Sequence, residues 1–162
     1  MELKAPTAKD AEQVRLWRSK TPESWRTPYS LTEEMQADFY HNVVCNRHSN
    51  SRWWSVYTAD NLIAFTGLTD IEWENGLAQI SIIVMPEVSD LNHNAEIFDM
   101  VLEQAFDQMG LKTIYGECYE CNPTVEFWKK ITDKHGGYYT MIPRRKRWQG
   151  QLYDALHFSI WR

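Results

Sequence analysis

No stretch of this 162-residue chain approaches the ~20 consecutive apolar residues that a membrane-spanning helix needs, so no span is expected. Positive charge is also short: 17 Lys and Arg stand against 22 Asp and Glu, a net charge of −5. General nucleic-acid binding draws its affinity from cations that neutralise phosphates, so that class is disfavoured. The one basic run, Arg144-Arg145-Lys146-Arg147, reads as the solvated face of a late strand. Cysteine is sparse and odd in number (Cys45, Cys118, Cys121), and the N-terminal MELKAPTAKD lacks the apolar core of a secretion signal. A cytoplasmic protein with reduced thiols is therefore expected. Cys118-Tyr119-Glu120-Cys121 has CxxC spacing without a second pair, and side chains three apart on a strand face opposite ways, which suits no shared metal. Five histidines (His41, His48, His93, His135, His157) are scattered without ligand spacing, so no metal is expected. Repeats, linkers and low-complexity tracts are missing too.

What remains is an ordinary globular composition with an aromatic excess. Hydrophobic residues make up 43% and charged residues 24%, and one domain over residues 1–162 is the natural reading. Aromatics reach 14%, with eight Trp, enough to line a cleft or to fill a core. Residues 10–19 place Val14 and Trp17 at helical spacing, with Thr7 or Asp10 to start the turn. Ser30 and Glu33 form a capping-box pattern for a second helix reaching Val44. Residues 53–58 and 62–71 read as strands, and Asn75-Gly76 signals a type I′ hairpin into a strand over 78–85. An amphipathic helix over 95–109 follows, with Ile97, Phe98, Val101, Leu102, Ala105, Phe106 and Met109 in one stripe ahead of Gly110. A strand over 113–121, a helix over 124–134 and a hairpin joined near Gln149-Gly150 complete the chain. The fold class is α+β, in the order β-α-α-β-β-β-α-β-α-β-β. The β-α-β passage predicts strands 78–85 and 113–121 as parallel neighbours.

Several pieces, in this order and spacing, carry a resemblance: TAKDAEQVRLWR at residues 7–18, Pro86-Glu87, AFDQMGL at 105–111, Asn122-Pro123, and the closing Tyr153-Asp154 and Phe158-Ser159-Ile160. Together they resemble the GNAT superfamily of N-acyltransferases over nearly the whole chain. The nearest branch is the ribosomal-protein alanine and sugar-nucleotide amine acetyltransferases. The resemblance implies a mixed, mainly antiparallel twisted sheet and an acetyl-CoA-dependent N-acetyltransferase without a metal. It implies a primary amine of a small molecule or protein as acceptor, and a homodimer is compatible with it.

In that family a glycine-bearing loop brings backbone N–H groups and a helix N-terminus to the cofactor pyrophosphate. The matching positions here are Ser89, Asp90, Leu91, Asn92, His93 and Asn94, without glycine. Asn92 or Asn94 would cap the helix, and Leu91 to Ala95 would offer the N–H groups. The resemblance further implies a backbone donor to the thioester carbonyl from Ile83 or Val84, beside Met85, and cofactor contacts from Asn122 and Trp128. The usual Tyr of the last helix is replaced by Phe127-Trp128-Lys129, and Tyr119 is the substitute proton donor. Glu117 and Glu72 are the candidate bases, Glu117 with a pKa raised by burial or else paired with an Arg of the last hairpin. Trp17, Trp25 and Tyr29 would wall the acceptor site. The other reading, from a different class, is a GNAT-shaped structural or interaction module, such as a phage virion component, that has lost cofactor binding.

Overall fold

Alternating apolar residues build a seven-stranded sheet, and the computed structural model describes residues 1–88 and 91–162. The strands are β1 (Glu2–Lys4), β2 (Arg52–Thr58), β3 (Asn61–Glu72), β4 (Leu77–Val84), β5 (Thr113–Tyr119), β6 (Tyr138–Trp148) and β7 (Gln151–Trp161). They lie in the order β1-β2-β3-β4-β5-β7-β6. Helices α1 (Ala8–Lys20), α2 (Glu33–Phe39), α3 (Leu91–Glu103) and α4 (Val125–Lys134) complete the expected α+β order, with a 3-10 turn at Pro22–Ser24. Helices α2 and α3 each run on into a π-helical turn, Tyr40–Val44 and Gln104–Gln108.

The predicted parallel pair is present. β4 and β5 run parallel, with α3 as the crossover, while the other described pairings are antiparallel. Their register covers only Leu77↔Thr113, Ala78↔Ile114 and Gln79↔Tyr115. Beyond Gln79 and Tyr115 the two strands separate, which opens a gap in the middle of the sheet.

Each face of the sheet has its own core. On one side α3 and the π-helical turn after it bury Ile97, Phe98, Val101, Leu102 and Ala105, all at most 2% exposed, and Phe98, Val101, Leu102 and Ala105 pack with Ile114, Leu156, Phe158 and Ile160. Gly116 is required here: a Cβ at that position would come within 2.3 Å of the Phe158 ring. Phe158 can thus lie flat over β5 and stack on Trp128, with centroids 5.0 Å apart at 18°. On the other side α1 sets Val14 and Trp17 against Phe65 and Ile83. Thr7 and Asp10 cap α1 reciprocally, and Asp10 also accepts from the Tyr57 hydroxyl at 2.6 Å and from Ser55 at 2.9 Å. Burial pushes the Asp10 carboxyl up, but the bonds from Tyr57, Thr7 and Ser55 hold it below its ordinary value.

Three local expectations are corrected. Thr32, not Ser30, caps α2, accepting from the Met35 N–H at 3.2 Å; the helix starts at Glu33, so the Ser30–Glu33 pair has no box to close. The Asn75-Gly76 turn is not type I′, because only Gly76 has positive φ (67°), in a connection of four residues from Glu72 to Leu77. Helix α3 begins at Leu91, four residues earlier than expected, so Asn92 and Asn94 fall within its first turn rather than ahead of it. Ser89 and Asp90, the expected start of the phosphate loop, lie outside the described residues. A bulge interrupts β3 between Thr69 and Glu72, where Asp70 takes a φ of 49°.

Candidate active site

A cleft of about 650 Å³ passes through the gap between β4 and β5. Its walls include Ile82, Val84 and Met85 of β4 and the residue after it, Glu117 and Tyr119 of β5, and Trp25, Arg26 and Thr27 after α1. Towards α3 and α4 it is lined by Asn94, Asn122, Pro123, Phe127 and Trp128.

Strand alternation decides which backbone groups the cleft can use. The Met85 N–H donates to the Ile63 carbonyl at 2.9 Å, so the peptide groups of odd-numbered β4 residues face β3. Ile83 pairs with Phe65 on that side. The N–H groups of Ile82 and Val84 therefore face the gap, where no strand partners them. Of the two residues expected to polarise a carbonyl, Val84 has a donor to offer and Ile83 does not. Met85 likewise has its N–H engaged.

Glu117 is the centre of a polar network. Its side chain is 10% exposed, and Oε2 lies 2.6 Å from His157 Nε2 on the neighbouring β7. Arg145 of β6 stands 3.8 Å away and Arg26 3.9 Å. Burial pushes the Glu117 carboxyl up, but Tyr119, His157 and Arg26 together hold it below its ordinary value. The expected upward shift is thus overturned, because the charged form has partners that outweigh its desolvation. The pairing with an arginine of the last hairpin, the other expectation, is present in Arg145. Tyr119 is 7% exposed, and burial and the Glu117 carboxylate raise its pKa, so at neutral pH its hydroxyl keeps its proton.

The basic run is not a uniformly solvated face. A register shift between Ile142 and Lys146, with Arg144 at a φ of 57°, turns Lys146 inward to 5% exposure. Its Nζ donates to the Trp25 carbonyl and lies 4.7 Å from the centroid of the Tyr119 ring. Lys146 thereby ties the loop after α1 to the cleft wall, and its burial lowers its pKa.

Residues 1–126 match the family model of the acetyltransferase (GNAT) domain. The chain belongs to the GNAT family. Its members are acetyl-CoA-dependent acetyltransferases, and the chain is an N-acetyltransferase. Among solved structures, the spermidine N-acetyltransferase from Vibrio cholerae in complex with CoA and spermine is 18% identical, with a TM-score of 0.85 over 99% of this chain and 94% of that one. A point mutant of that enzyme is 19% identical with a TM-score of 0.83, covering 99% and 95% of the two chains. A dodecameric form in an intermediate state is 19% identical with a TM-score of 0.80, covering 99% and 92%. At such identities the likeness is one of fold. No curated protein sequence matches the chain.

The other expected site residues of this GNAT chain are spread unevenly around the cleft. Leu91, Asn92, His93 and Asn94 form the first turn of α3, the end at which a helix presents its backbone N–H groups, and Ala95 follows. Asn94 is 9% exposed, and its Oδ1 is buried without a hydrogen bond. An orphaned acceptor beside first-turn donors fits an amide-bearing phosphate ester such as CoA. Asn122 spends Oδ1 on the N–H and hydroxyl of Thr124, at 2.9 and 2.8 Å, and so opens α4. Trp128 is both cleft wall and core, with Phe98 at 5.7 Å and Phe158 at 5.0 Å. Glu72 is exposed, binds Asn75 at 2.8 Å and does not line the cleft, so the bulge puts Asp70 there instead. Trp17 is 2% exposed in the core rather than at the acceptor wall, and Tyr29, 61% exposed, borders a smaller cavity of about 160 Å³. No helix among the described residues is long and apolar enough to cross a membrane. Sequence reasoning missed Arg18, Arg26 and Asp70; a short polar Asp, tolerant of positive φ, was the one local signal for the last.

Proposed function

We propose that the protein transfers an acetyl group from acetyl-CoA to the primary amine of a small molecule or protein, by direct attack without a covalent enzyme intermediate. The observation that carries this reading is the splayed β4–β5 pair, which leaves the Val84 N–H pointing into a cleft that also holds Glu117 and Tyr119. Acetyl-CoA, when bound, supplies the activated thioester. The first turn of α3 and the Asn94 side chain would hold it, and the Val84 N–H would stabilise the carbonyl oxygen as it gains charge. Glu117 would attract the acceptor ammonium and take its proton, with His157, one-third exposed, as the route by which that proton reaches solvent. Tyr119, kept protonated, would return a proton to the departing thiolate. The polyamines named for the solved neighbours belong among the acceptors to assay.

Titrating the protein with acetyl-CoA in a thermal-shift experiment tests the reading. A ligand that binds only the native state raises stability by about 2.7 kcal/mol at 100 times its Kd. No shift at millimolar acetyl-CoA would remove this reading of how the cleft holds acetyl-CoA and transfers its acetyl group to an amine.

Replacing Glu117 by Gln separates catalysis from pairing. Turnover at neutral pH is expected to fall at least about tenfold, a floor beneath the roughly 10²–10⁴-fold typical of a general base. Because the folded Glu117 pKa is depressed, its charge stabilises the protein above the ordinary value of 4.5 and ceases to do so as pH falls through the folded value. Any stability difference from Glu117→Gln should therefore vanish in acid. Lost stability with full activity per folded molecule would assign Glu117 to structure alone.

Self-association belongs to the same proposal. The outer hairpin exposes Tyr138, Met141, Leu152 and Trp161 at 64%, 37%, 49% and 52%, with β6 as a sheet edge. Sedimentation velocity is expected to give a species larger than the 19.2 kDa monomer; a monomer at all concentrations would refute it.

A further inference from the structure

Two arginines line the cleft, and they differ in what they face. Arg26 is occupied: Tyr119, Glu117 and Asp70 all act on its guanidinium, with Glu117 at 3.9 Å. Arg18 makes no ion pair among the described residues. It lies over the Trp25 ring with its guanidinium carbon 5.2 Å from the centroid. Its Nη2 donates to the Thr27 hydroxyl at 3.2 Å, while its Nε is buried and bonds to nothing. The indole N–H of Trp25 in turn donates to the Arg18 carbonyl at 3.1 Å, so the loop is fastened to the end of α1 and the guanidinium is held in place.

A guanidinium presents Nε and one Nη along a single edge, the fork that binds a carboxylate through two parallel hydrogen bonds. On Arg18 that edge has an unused Nε–H and a second Nη2–H. Thr27 accepts from Arg18, which leaves its own hydroxyl proton to donate to the same anion. These donors belong to two residues that line the cleft, the Arg18 Nε–H among them has no acceptor, and a buried donor without a partner is costly. The acids of the cleft, Glu117 and Asp70, come from β5 and the β3 bulge and suit a positive group.

We propose that the acceptor carries a carboxylate as well as its amine, and that the Nε–Nη2 edge of Arg18 and the Thr27 hydroxyl bind the carboxylate while the amine lies towards Glu117. The inference rests on the transferase reading and narrows its substrate class to amino acids and related amino carboxylates. A polyamine carries positive charge at each nitrogen and would set one of them against an unpaired guanidinium. The chain would then discriminate against polyamines by repulsion as well as by the missing contact.

Matched pairs that differ only in the carboxylate test this: lysine against cadaverine, ornithine against putrescine, tyrosine against tyramine, with acetyl-CoA as donor. Wild type is expected to show kcat/KM at least about tenfold higher for the carboxylate-bearing member, the size of one good charged hydrogen-bond pair. In Arg18→Gln the ratio should collapse towards unity, and in Thr27→Val, which keeps the cation, it should fall part-way. Melting curves on both variants establish that they are folded; if Arg18→Gln is not, Thr27→Val alone carries the comparison. Equal or better turnover of the decarboxylated members, or of spermidine, overturns the proposal, as does an unchanged ratio in the folded variants. Preference for phosphoethanolamine over ethanolamine without a preference for lysine over cadaverine also overturns it, in favour of a phosphate. Calorimetry with acetyl-CoA alone keeps the two readings apart. No heat there sinks the proposed acetyl-CoA site and transfer, whereas heat without any carboxylate preference sinks only this inference.

Discussion

Val84→Pro is expected to lower kcat about 10²–10³-fold, the cost of deleting one donor from an oxyanion site, while the protein still folds. Proline removes a backbone N–H and is tolerated in a sheet only where that group is outside the ladder. Val84 meets the condition: the Met85 N–H bonds to Ile63, so the donor one residue earlier faces the gap between β4 and β5. Ile83→Pro is the control, since its N–H faces β3, where Ile83 pairs with Phe65. That variant should lose stability outright and give little folded protein. Both can be followed by CoA release with an amine the wild type acetylates, alongside a thermal melt. Turnover of Val84→Pro within about twofold of wild type would show that the carbonyl is polarised by another group, and the role assigned to the splay would fall.

That a donor sits on Val84 rather than Ile83 was not legible in the sequence, although the strand itself was. Alternation of apolar residues announces a strand and its two faces, but the phase of its hydrogen bonds is set by the partner's register. The same limit explains the turns. Asn75-Gly76 marks the right place, yet the bulge after Thr69 lengthens the connection to four residues and relieves Asn75 of positive φ. The parallel β4–β5 neighbours were readable because a helical crossover leaves few other topologies. The stripe on α3 was readable because burial of one face fixes the 3.6-residue period. Charge pairing was the least legible part. Glu117 meets His157 forty residues away, and Lys146 meets the Trp25 carbonyl across 121, contacts that exist only once β7 and β6 fold onto β5. The lowered Glu117 pKa and the inward turn of Lys146 follow from those long-range partners, and neither has a signature within its own strand.

Phe98→Ala is expected to be the most damaging single truncation, at about 3–5 kcal/mol, the usual range for removing a buried aromatic. Phe98 is 0% exposed in the stripe of α3. Its ring meets Trp128 edge-on at 5.7 Å and the His135 ring at 5.7 Å, so it bridges α3 to α4. The surface contacts between those helices, Lys134 and His135 to Asp99 at 2.9 and 2.8 Å, are exposed or half-exposed and cannot replace it. For a chain of this size each kcal/mol moves the thermal midpoint by about 2–4 °C, so a drop of roughly 6–20 °C is predicted. Phe98→Leu keeps most of the volume and should cost clearly less. The damage should also reach the cleft. Trp128 is held between Phe98 and the stacked Phe158, and its other side lines the site towards α4. With the edge partner gone, Trp128 gains room to rotate into the cavity left behind, and acetyl-CoA affinity should fall more than stability alone accounts for. Measuring that affinity well below the lowered midpoint, where Phe98→Ala is still folded, distinguishes the two effects. An unchanged Kd there would mean that Trp128 is held by Phe158 and β5 alone, and that α3 supports the cleft only through its N-terminal turn.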